Sequence, residues 1–240
     1  MTFDVYGFSN KGGRDYNEDA VGFSVDRDSG IFVVADGLGG HSYGELASEC
    51  VKDTILRGWK CEACNRSEWL QSRITEANNN ILSIQAEKNT VIKSTVVTLA
   101  IDGNMAVWAH SGDSRLYYIH DGWINIVTED HSVAYKKYKA GEITRDELPY
   151  DEDQSSLLRA LGGKERFEPE IFACKKPIEA GDGFLLCSDG AWEYLRDGEI
   201  AIDMYKAENS KQWVELLLLR MMDRITIDND NLTLLAVMIR

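Results

Sequence analysis

Residues 95–127 read TVVTLAIDGNMAVWAHSGDSRLYYIHDGWINIV, and they carry the clearest signal of the fold class. It contains successive short runs rich in β-branched and aromatic residues, TVVTLAI, MAVWAH, SRLYYI and WINIV, which are typical of strands. Asp102-Gly103 and Asp121-Gly122 separate neighbouring runs, and Asp-Gly is a strong hairpin signal because glycine readily adopts a positive φ. The stretch therefore predicts an antiparallel meander.

Strands and helices are also predicted on both sides of this stretch. Short β-prone runs at 3–6, 21–25 and 31–35 predict an opening sheet. Apolar residues recur at helical spacing after Ser42-Tyr43-Gly44-Glu45, which has the spacing of a capping box, and again after Ser67. Further on, residues 183–188 predict a buried strand, 213–222 an apolar helix and 232–239 a closing strand. Antiparallel strands and paired helices in separate runs favour an α+β fold.

Length and charge limit the classes of protein that the chain can belong to. Its 240 residues suit one compact domain, 1–240, since a single core extends to roughly 250 residues. The net charge of −14 opposes non-specific binding to nucleic acid. The first residues lack a signal-peptide pattern, and no apolar run approaches the ~20 residues of a membrane span. We expect a cytoplasmic protein that binds no nucleic acid and inserts into no membrane, with a place on the cytosolic side of a membrane complex left open.

The five cysteines favour reduced thiols over a disulfide framework, because their number is odd and their spacing irregular. Cys61 and Cys64 form a C-x-x-C pair, but no second pair and no suitably spaced histidine completes a zinc site. We interpret the pair as ordinary residues of a helix connection, with a metal or redox role as the alternative.

Acidic residues mark the ends of several predicted strands. The loci are Glu18-Asp19, Asp36-Gly37, Ser188-Asp189-Gly190 and Asp230-Asn231. Any one of them could be a simple turn, but together they favour a shared site. Carboxylate, carbonyl and water oxygens are the ligands that Mg²⁺ and Mn²⁺ select, and clustered carboxylates repel one another unless cations neutralise them. The sequence therefore predicts an oxygen-ligand metal site.

A series of motifs gives the chain a family resemblance. They are RDYNEDA from Arg14, VVADGLGGHSYGELAS from Val33, KSTVVTLAI from Lys93, AHSGDSRLYYI from Ala109, TEDHS from Thr128, LLRALGG from Leu157, LLCSDGAWEYL from Leu185 and DNDNLTLLAV from Asp228. In this order they resemble the protein phosphatase type 2C family, in its short, single-domain bacterial form. The resemblance covers essentially the whole chain.

The resemblance implies a four-layer α-β-β-α sandwich with a metal centre at one end. Carried over residue by residue, it implies the direct ligands Asp19, Asp36, the Gly37 carbonyl, Asp189 and Asp230, with Glu18 acting through water and Asp113 holding a third, weaker ion. The two main ions would be Mn²⁺ or Mg²⁺. The alternative for Asp113 is an aspartate that stabilises a turn.

The same resemblance implies a metal-dependent serine/threonine protein phosphatase, in which a water bridging two cations attacks phosphorus in one step. Arg14, Asp36 and Asp189 would be the catalytic residues, with Arg14 binding the phosphate. The alternative for Arg14 is a surface ion pair with Asp15 or another carboxylate. Cys187 lacks the Cys-x5-Arg loop of a cysteine phosphatase and is interpreted as a packing residue.

The chain departs from the family pattern at several positions. Leu38 follows Asp-Gly where many eukaryotic relatives have a histidine proposed as general acid, and His41 is a weak substitute for it. Lys93-Ser94-Thr95 replaces the usual Gly-Thr-Thr, which adds bulk and charge before the strand. Glu193 replaces an aspartate that helps to bind the third ion.

Residues 131–156 correspond to the family's flap, and 151–153 make it acidic, so very acidic phosphopeptides are expected to be disfavoured. The expected partners are a phosphorylated protein substrate and a cognate serine/threonine kinase pathway, and the chain is expected to be a monomer. The open alternatives are a non-catalytic phosphatase-like binding module, a two-metal hydrolase of other phosphate esters, and a phosphatase acting on a small regulatory protein.

Overall fold

A computed structural model describes residues 1–39, 43–59, 65–163 and 167–240. The strands are Phe3–Asn10 (β1), Asp19–Asp26 (β2), Ser29–Gly39 (β3), Ile92–Ser94 (β4), Val96–Asp102 (β5), Met105–Ser111 (β6), Arg115–His120 (β7), Trp123–Val127 (β8), Glu170–Ala173 (β9), Gly183–Cys187 (β10) and Leu232–Ile239 (β11). The helices are Gly44–Leu56 (α1), Arg66–Lys88 (α2), Val133–Ala140 (α3), Asp189–Trp192 (α4), Asp197–Lys206 (α5) and Ser210–Met222 (α6), with a 3₁₀ turn at Leu148–Tyr150.

The strands form two antiparallel sheets that pack face to face. One sheet has the order β1-β11-β10-β7-β8, and the other has the order β2-β3-β5-β6-β9 with β4 paired to the end of β3. Apolar side chains from both sheets, such as Phe32, Leu99, Phe184 and Leu235, form the core between them. The expected sandwich of antiparallel sheets is confirmed.

Helices cover the outer face of each sheet. α1 and α2 pack on the β3 side through a core that contains Val51, Ile74 and Trp59. α5 and α6 pack on the β11 side through a core that contains Trp213 and Leu217. The layers therefore follow the predicted α-β-β-α order, because each sheet has one apolar face for its partner sheet and one for a helix pair.

The predicted meander over 95–127 is wrong in its topology. β5 and β6 form a hairpin in one sheet, whereas β7 and β8 form a hairpin in the other. The Asp-Gly turns are where the sequence predicted them, but Gly112 takes the chain from sheet to sheet with φ +110. The pattern of β7 gave no warning, since Arg115–Ile119 are buried on both faces and show no alternation.

Some sequence predictions lie outside the described residues. These are Ser42 of the proposed capping box, His41, and the Cys61 and Cys64 pair. Helix α1 begins at Gly44, close to the predicted start. Among the described helices, none combines the length and apolar character that crossing a membrane requires.

Candidate metal centre

A cleft at one end of the sandwich brings the predicted acidic residues together. It has a volume of about 530 Å³ and is lined by Arg14, Tyr16, Glu18, Asp36, Gly37, Leu38, Gly39, Asp113, Ser155, Leu157, Asp189, Asp230 and Asn231. Asp19 lies behind this lining and pairs directly with Asp36 across β2 and β3. The strand ends of both sheets therefore supply carboxylates to one concave site.

Hydroxyl groups of residues that flank the strands hold Asp19 and Asp36 in place. The Asp36 backbone N–H donates to Thr95 Oγ1 at 2.9 Å, and the Thr95 hydroxyl lies 2.7 Å from Ser114 Oγ. Ser188 Oγ donates to Asp19 Oδ2 at 2.7 Å and accepts from a backbone N–H of β11. These bonds fix each carboxylate at the edge of its sheet, as a preorganised ligand requires.

The tight backbone at Gly37 explains why this position is a glycine. A Cβ there would lie 2.0 Å from the Gly44 carbonyl oxygen and 2.7 Å from the Glu18 carbonyl oxygen. The Gly37 N–H donates to that Glu18 oxygen at 3.0 Å, and Glu18 Oε1 accepts from the Gly44 N–H at 3.0 Å. Glu18 therefore caps the start of α1 while its carboxylate faces the cleft.

Asp113 lies where the chain crosses between the sheets. Its side chain is buried, and its backbone carbonyl accepts from Trp192 Nε1 at 2.8 Å. Beside it, Arg115 is also buried, makes a bidentate pair with Asp130 at 2.7 and 2.6 Å, and lies 3.4 Å above the Trp192 ring. The crossing is thus held by a buried ion pair and an indole, which keeps Asp113 in the wall of the cleft.

Asp189 begins α4 just after β10, and Asp230 lies just before the neighbouring strand β11. Asp189 Oδ1 accepts from the Gly190 N–H at 2.7 Å, and Asp230 Oδ1 accepts from the Asn231 N–H at 2.8 Å. Asp230 Oδ2 accepts from Arg14 Nη2 at 2.8 Å, so the guanidinium is anchored at the rim of the cleft. Arg14 forms an ion pair, as the alternative interpretation held, but with a residue of the acidic site.

The cleft carboxylates raise one another's pKa values. Burial, with the charges of Asp189 and Asp230, raises the pKa of Asp19 to about 7. Burial and neighbouring aspartates raise the pKa of Asp36 and of Asp113 well above the ordinary value, and raise that of Asp189. Each carboxyl therefore opposes ionisation of the others, which a bound cation would reverse.

The donor set fits hard divalent cations. Asp19 Oδ1 and Asp113 Oδ1 are buried and have no hydrogen-bond partner in the described parts of the chain, so both oxygens are available as ligands. All of the side chains that converge on the cleft present oxygen donors, apart from Arg14 and apolar wall residues. Within the described chain, no three of these carboxylates have ligand oxygens all within 4.8 Å of one another, so they are spread more widely than one ion requires.

The flap reaches the cleft from one side. Ser155 and Leu157 line the cavity, while Gln154 Nε2 donates to Asp189 Oδ2 at 3.4 Å and also to Glu193 Oε1. Burial, followed by the charges of the neighbouring aspartates, raises the pKa of Glu193 to about 9. The predicted surface excursion therefore forms one wall of the site.

The acidic residues of the flap carry less free charge than the sequence indicated. Lys137 Nζ lies 2.9 Å from Asp151 Oδ1 and 2.8 Å from Asp153 Oδ2. These contacts lower the pKa of Asp151 and tie the flap to α3. The expectation that the flap disfavours very acidic phosphopeptides stays a prediction. Its physical basis is weaker than the sequence indicated, because Lys137 pairs with two of the flap carboxylates.

A histidine cluster near the flap has a structural explanation. In the described part of the chain, His110, His131 and Glu170 are the group of three whose ligand atoms all lie within 4.8 Å. The imidazole rings stack at 4.6 Å with an interplanar angle of 12°, so their in-plane lone pairs run parallel and do not converge on one ion. The Gly112 N–H donates to His131 Nδ1 at 3.3 Å. The cluster therefore supports the loop before Asp113.

Cys187 is a fully buried residue at the end of β10. Burial raises the pKa of its thiol far above the ordinary value, which is the opposite of what a nucleophilic cysteine needs. The structure therefore agrees with its interpretation as a packing residue.

Sequence reasoning missed most of the groups that support the site. Ser188 and Thr95 lie inside quoted motifs but received no role, although a hydroxyl next to a predicted ligand is a usable signal. Asn231 was also passed over: its Oδ1 accepts from the Glu18 N–H at 2.7 Å and its Nδ2 donates to two carbonyls of the loop before β2. These contacts join residues more than 200 positions apart, so no local pattern reveals them.

Comparisons with known proteins agree with this geometry. A family profile described as protein phosphatase 2C matches residues 7–225. The serine/threonine phosphatase stp of Listeria welshimeri is 32% identical over 206 residues, covering 82% of this chain and 80% of that protein. The structure of the serine/threonine phosphatase Stp1 from Staphylococcus aureus aligns with a TM-score of 0.85 at 26% identity, covering 100% of this chain and 96% of that one. The catalytic domain of the serine/threonine protein phosphatase PstP, in complex with two manganese ions, aligns with a TM-score of 0.84 at 27% identity and covers 98% of this chain and 97% of that one.

Proposed function

Because this chain belongs to the protein phosphatase 2C family, we propose that its aspartate-lined cleft is the site at which phosphoserine and phosphothreonine are hydrolysed. The chain is a metal-dependent protein serine/threonine phosphatase, a hydrolase whose substrates are phosphoproteins. The observation that carries the assignment to this cleft is the group of buried carboxylates whose pKa values are raised by burial and by one another, with Asp19 Oδ1 and Asp113 Oδ1 unpartnered among the described residues.

Two ions, Mn²⁺ or Mg²⁺, are the proposed occupants of the cleft. Their direct ligands would be Asp19, Asp36, the Gly37 carbonyl, Asp189 and Asp230, and Glu18 would act through water. Asp113 would hold a third, weaker ion, which its unpartnered buried Oδ1 supports. When bound, the ions supply a water activated at neutral pH and offset the negative charge of the phosphoryl group.

The protein groups bind and orient the substrate. Arg14 uses one nitrogen on Asp230 and has further N–H groups for the phosphoryl oxygens, a role that suits a planar guanidinium. Asp36 and Asp189 hold their positions through backbone and hydroxyl hydrogen bonds, so little reorganisation is needed when the phosphate binds. Gln154 of the flap and Leu157, which directly follows the flap, form the wall of the cleft on one side.

The proposed reaction also indicates the partners of the protein. A serine/threonine kinase must supply the phosphoproteins, so we infer a cognate kinase pathway. The cleft combines residues from the ends of both sheets, and we propose that the chain acts as a monomer through one catalytic domain, 1–240. The net charge of −14 supports a protein substrate over nucleic acid.

The test is hydrolysis of a phosphothreonine peptide by the purified protein in Mn²⁺, in chelator, and after Asp189→Asn. Turnover that requires Mn²⁺ and is crippled by the substitution supports the proposal. A folded protein without turnover in any metal would point to a non-catalytic binding module. Faster turnover of nucleotides than of phosphopeptides would point to a hydrolase of other phosphate esters.

A further inference from the structure

A second cavity lies beside the cleft and shares Leu157 with it. Its volume is about 690 Å³, and it is lined by Gln85, Val91, Lys93, Leu157, Leu158, Arg159, Ala160, Gly162, Gly163, Phe167 and Glu168. We call this cavity the lateral groove. Val91 and Leu158 are 66% and 45% exposed, so its wall offers apolar surface to a ligand. A polypeptide bound in the cleft can continue into the groove past Leu157.

Lys93 stands where the groove meets the cleft. In the pairing of β3 with β4, Lys93 is opposite Leu38, and Ser94 is opposite Gly37. Leu38 and Gly37 line the cleft, whereas Lys93 lines the groove. The lysine is therefore one residue pair, or roughly 3.4 Å along the strand, from a proposed metal ligand.

Among the described residues, none supplies a counter-charge to Lys93. The side chain is exposed, and no described residue forms an ion pair or hydrogen bond with it. By contrast, Arg159 in the same groove lies 3.0 Å from Glu170, and Lys137 of the flap pairs with Asp151. Lys93 also occupies the position where the family pattern usually has glycine, so it is a feature of this chain.

Among the described residues that line the groove, Glu168 is the acidic one. Glu168 has an interaction of its own. The net charge of −14 acts mainly at long range, where physiological salt screens interactions beyond about 8 Å. Local contacts with Lys93 therefore decide which side chains the groove accepts.

We propose that the lateral groove receives the segment that flanks the phosphorylated residue, and that Lys93 favours substrates with a negative charge in that segment. The inference rests on the proposed phosphatase function and names its substrate class: phosphoproteins with an acidic side chain or a second phosphate near the scissile phosphate. Since an extended chain advances ~3.3 Å per residue, the charge belongs within about four residues of the phosphorylated one.

The experiment measures kcat/KM for phosphothreonine peptides in which one flanking position at a time carries Glu or the neutral Gln. At one position or at neighbouring positions, Glu should raise kcat/KM by about two- to fivefold, the range of an exposed ion pair. The gain should appear in KM and shrink as salt rises. A second series with phosphoserine at the same positions distinguishes a neighbouring phosphate from a carboxylate.

Variants of Lys93 link the preference to the groove. Lys93→Gln should make kcat/KM equal for the Glu and the Gln peptides. Lys93→Arg should keep the higher kcat/KM of the Glu peptide, and Lys93→Glu should make the Gln peptide the better substrate. Lys211→Gln, an exposed lysine of α6 on the outer helical layer, is the matched control and should leave the Glu-to-Gln ratio of kcat/KM unchanged.

Two failures are distinguishable. If the unmodified protein turns over no phosphopeptide, the proposed function fails. If it turns over phosphopeptides but the ratio is the same in Lys93→Gln and the unmodified protein at every position, the inference about Lys93 is overturned.

Discussion

The buried carboxylates of this protein form two groups with opposite surroundings. Away from the cleft, Asp130 faces the Arg115 guanidinium at 2.6 Å, and Asp203 faces Arg220 at 2.8 Å. In the cleft, Asp19 and Asp113 are buried to a similar degree, yet each has one oxygen without a hydrogen-bond partner among the described residues. Counter-charges thus pair with the buried carboxylates that hold the fold together, whereas in the cleft Arg14 contacts the more exposed Asp230.

The difference shows how a fold prepares a metal site. A buried charge without a partner is unfavourable, and like charges add to the cost. The Ser188 hydroxyl orients the Asp19 carboxylate, and the bond from the Asp36 N–H to Thr95 holds the Asp36 backbone, without neutralising either charge. A cation that enters the cleft therefore finds ligands already in place, and its binding removes a repulsion that the metal-free protein carries.

The largest expected effect is on catalysis. Asp36→Asn should lower kcat/KM by about a thousandfold, because charge stabilisation by metal ions is worth several kcal/mol and ~1.4 kcal/mol corresponds to tenfold. In chelator the same variant should be at least as stable as the unmodified protein, since a repelling carboxylate is removed. Kinetic measurements test the loss of kcat/KM, and urea unfolding in chelator tests the stability. A loss of metal-free stability of several kcal/mol would contradict the comparison.

Removing the charge of a paired carboxylate should destabilise the folded protein, unlike Asp36→Asn in chelator. Asp130→Asn leaves the Arg115 charge, whose side chain is 1% exposed, without its partner. Loss of one partner of a buried pair costs about 3–5 kcal/mol, which urea unfolding would measure. Asp203→Asn is the control, because Arg220 is 30% exposed and can be hydrated, so its loss should be smaller. Equal losses of stability in the two variants would mean that burial of the arginine partner does not determine the free-energy cost.

Metal binding should stabilise the protein through the cleft. At Mn²⁺ about a hundredfold above its dissociation constant, unfolding should require roughly 2.7 kcal/mol more free energy. Asp36→Asn should lose most of this gain, whereas Asp121→Asn, whose side chain is 87% exposed at the far end of β7, should keep it. A gain that survives Asp36→Asn would place the metal elsewhere.

The smallest effect is on the pH dependence of stability in chelator. Asp19 keeps its proton in the folded protein up to about pH 7, but loses it near 3.8 when unfolded. The folded state then binds more protons, so the contribution of Asp19 to stability falls as pH rises from about 4 to 7. Asp19→Asn should remove this fall.

The useful quantity is the difference in unfolding free energy between Asp19→Asn and the unmodified protein. The pKa of His131, lowered to about 4 by burial, acts in the opposite direction but is present in both proteins and cancels. A difference that stays constant between pH 4 and 7 would show that Asp19 ionises normally in the fold.

Local patterns predicted the elements well because their causes are local. The Asp-Gly turn at 121–122 adopts positive φ at both positions, as a two-residue hairpin loop requires. The apolar run 232–239 forms a strand that is buried throughout. Turn chemistry and strand propensity act between neighbours in sequence, so they can be read from a single chain.

The error in the meander has a different origin. Nothing in the run Ser111-Gly112-Asp113-Ser114 says whether β7 returns beside β6 or crosses to the other sheet. The crossing is determined by the Arg115–Asp130 pair and by Trp192, which meet only in the folded protein. The charge of the flap was also overestimated, because Lys137 lies 14 positions before Asp151 and their pairing depends on the return of the chain.

The elements, the α+β class, the family resemblance and the identity of the acidic residues follow from the amino-acid sequence, since these depend on residue type, spacing and order. The folded structure was needed to show which carboxylates have counter-charges, how the chain changes sheet at Gly112, and that Lys93 lies beside the cleft without an ion-pair partner among the described residues. The reason is physical: the energy of a charge depends on burial and on neighbours distant in sequence, and both exist only after the two sheets have packed.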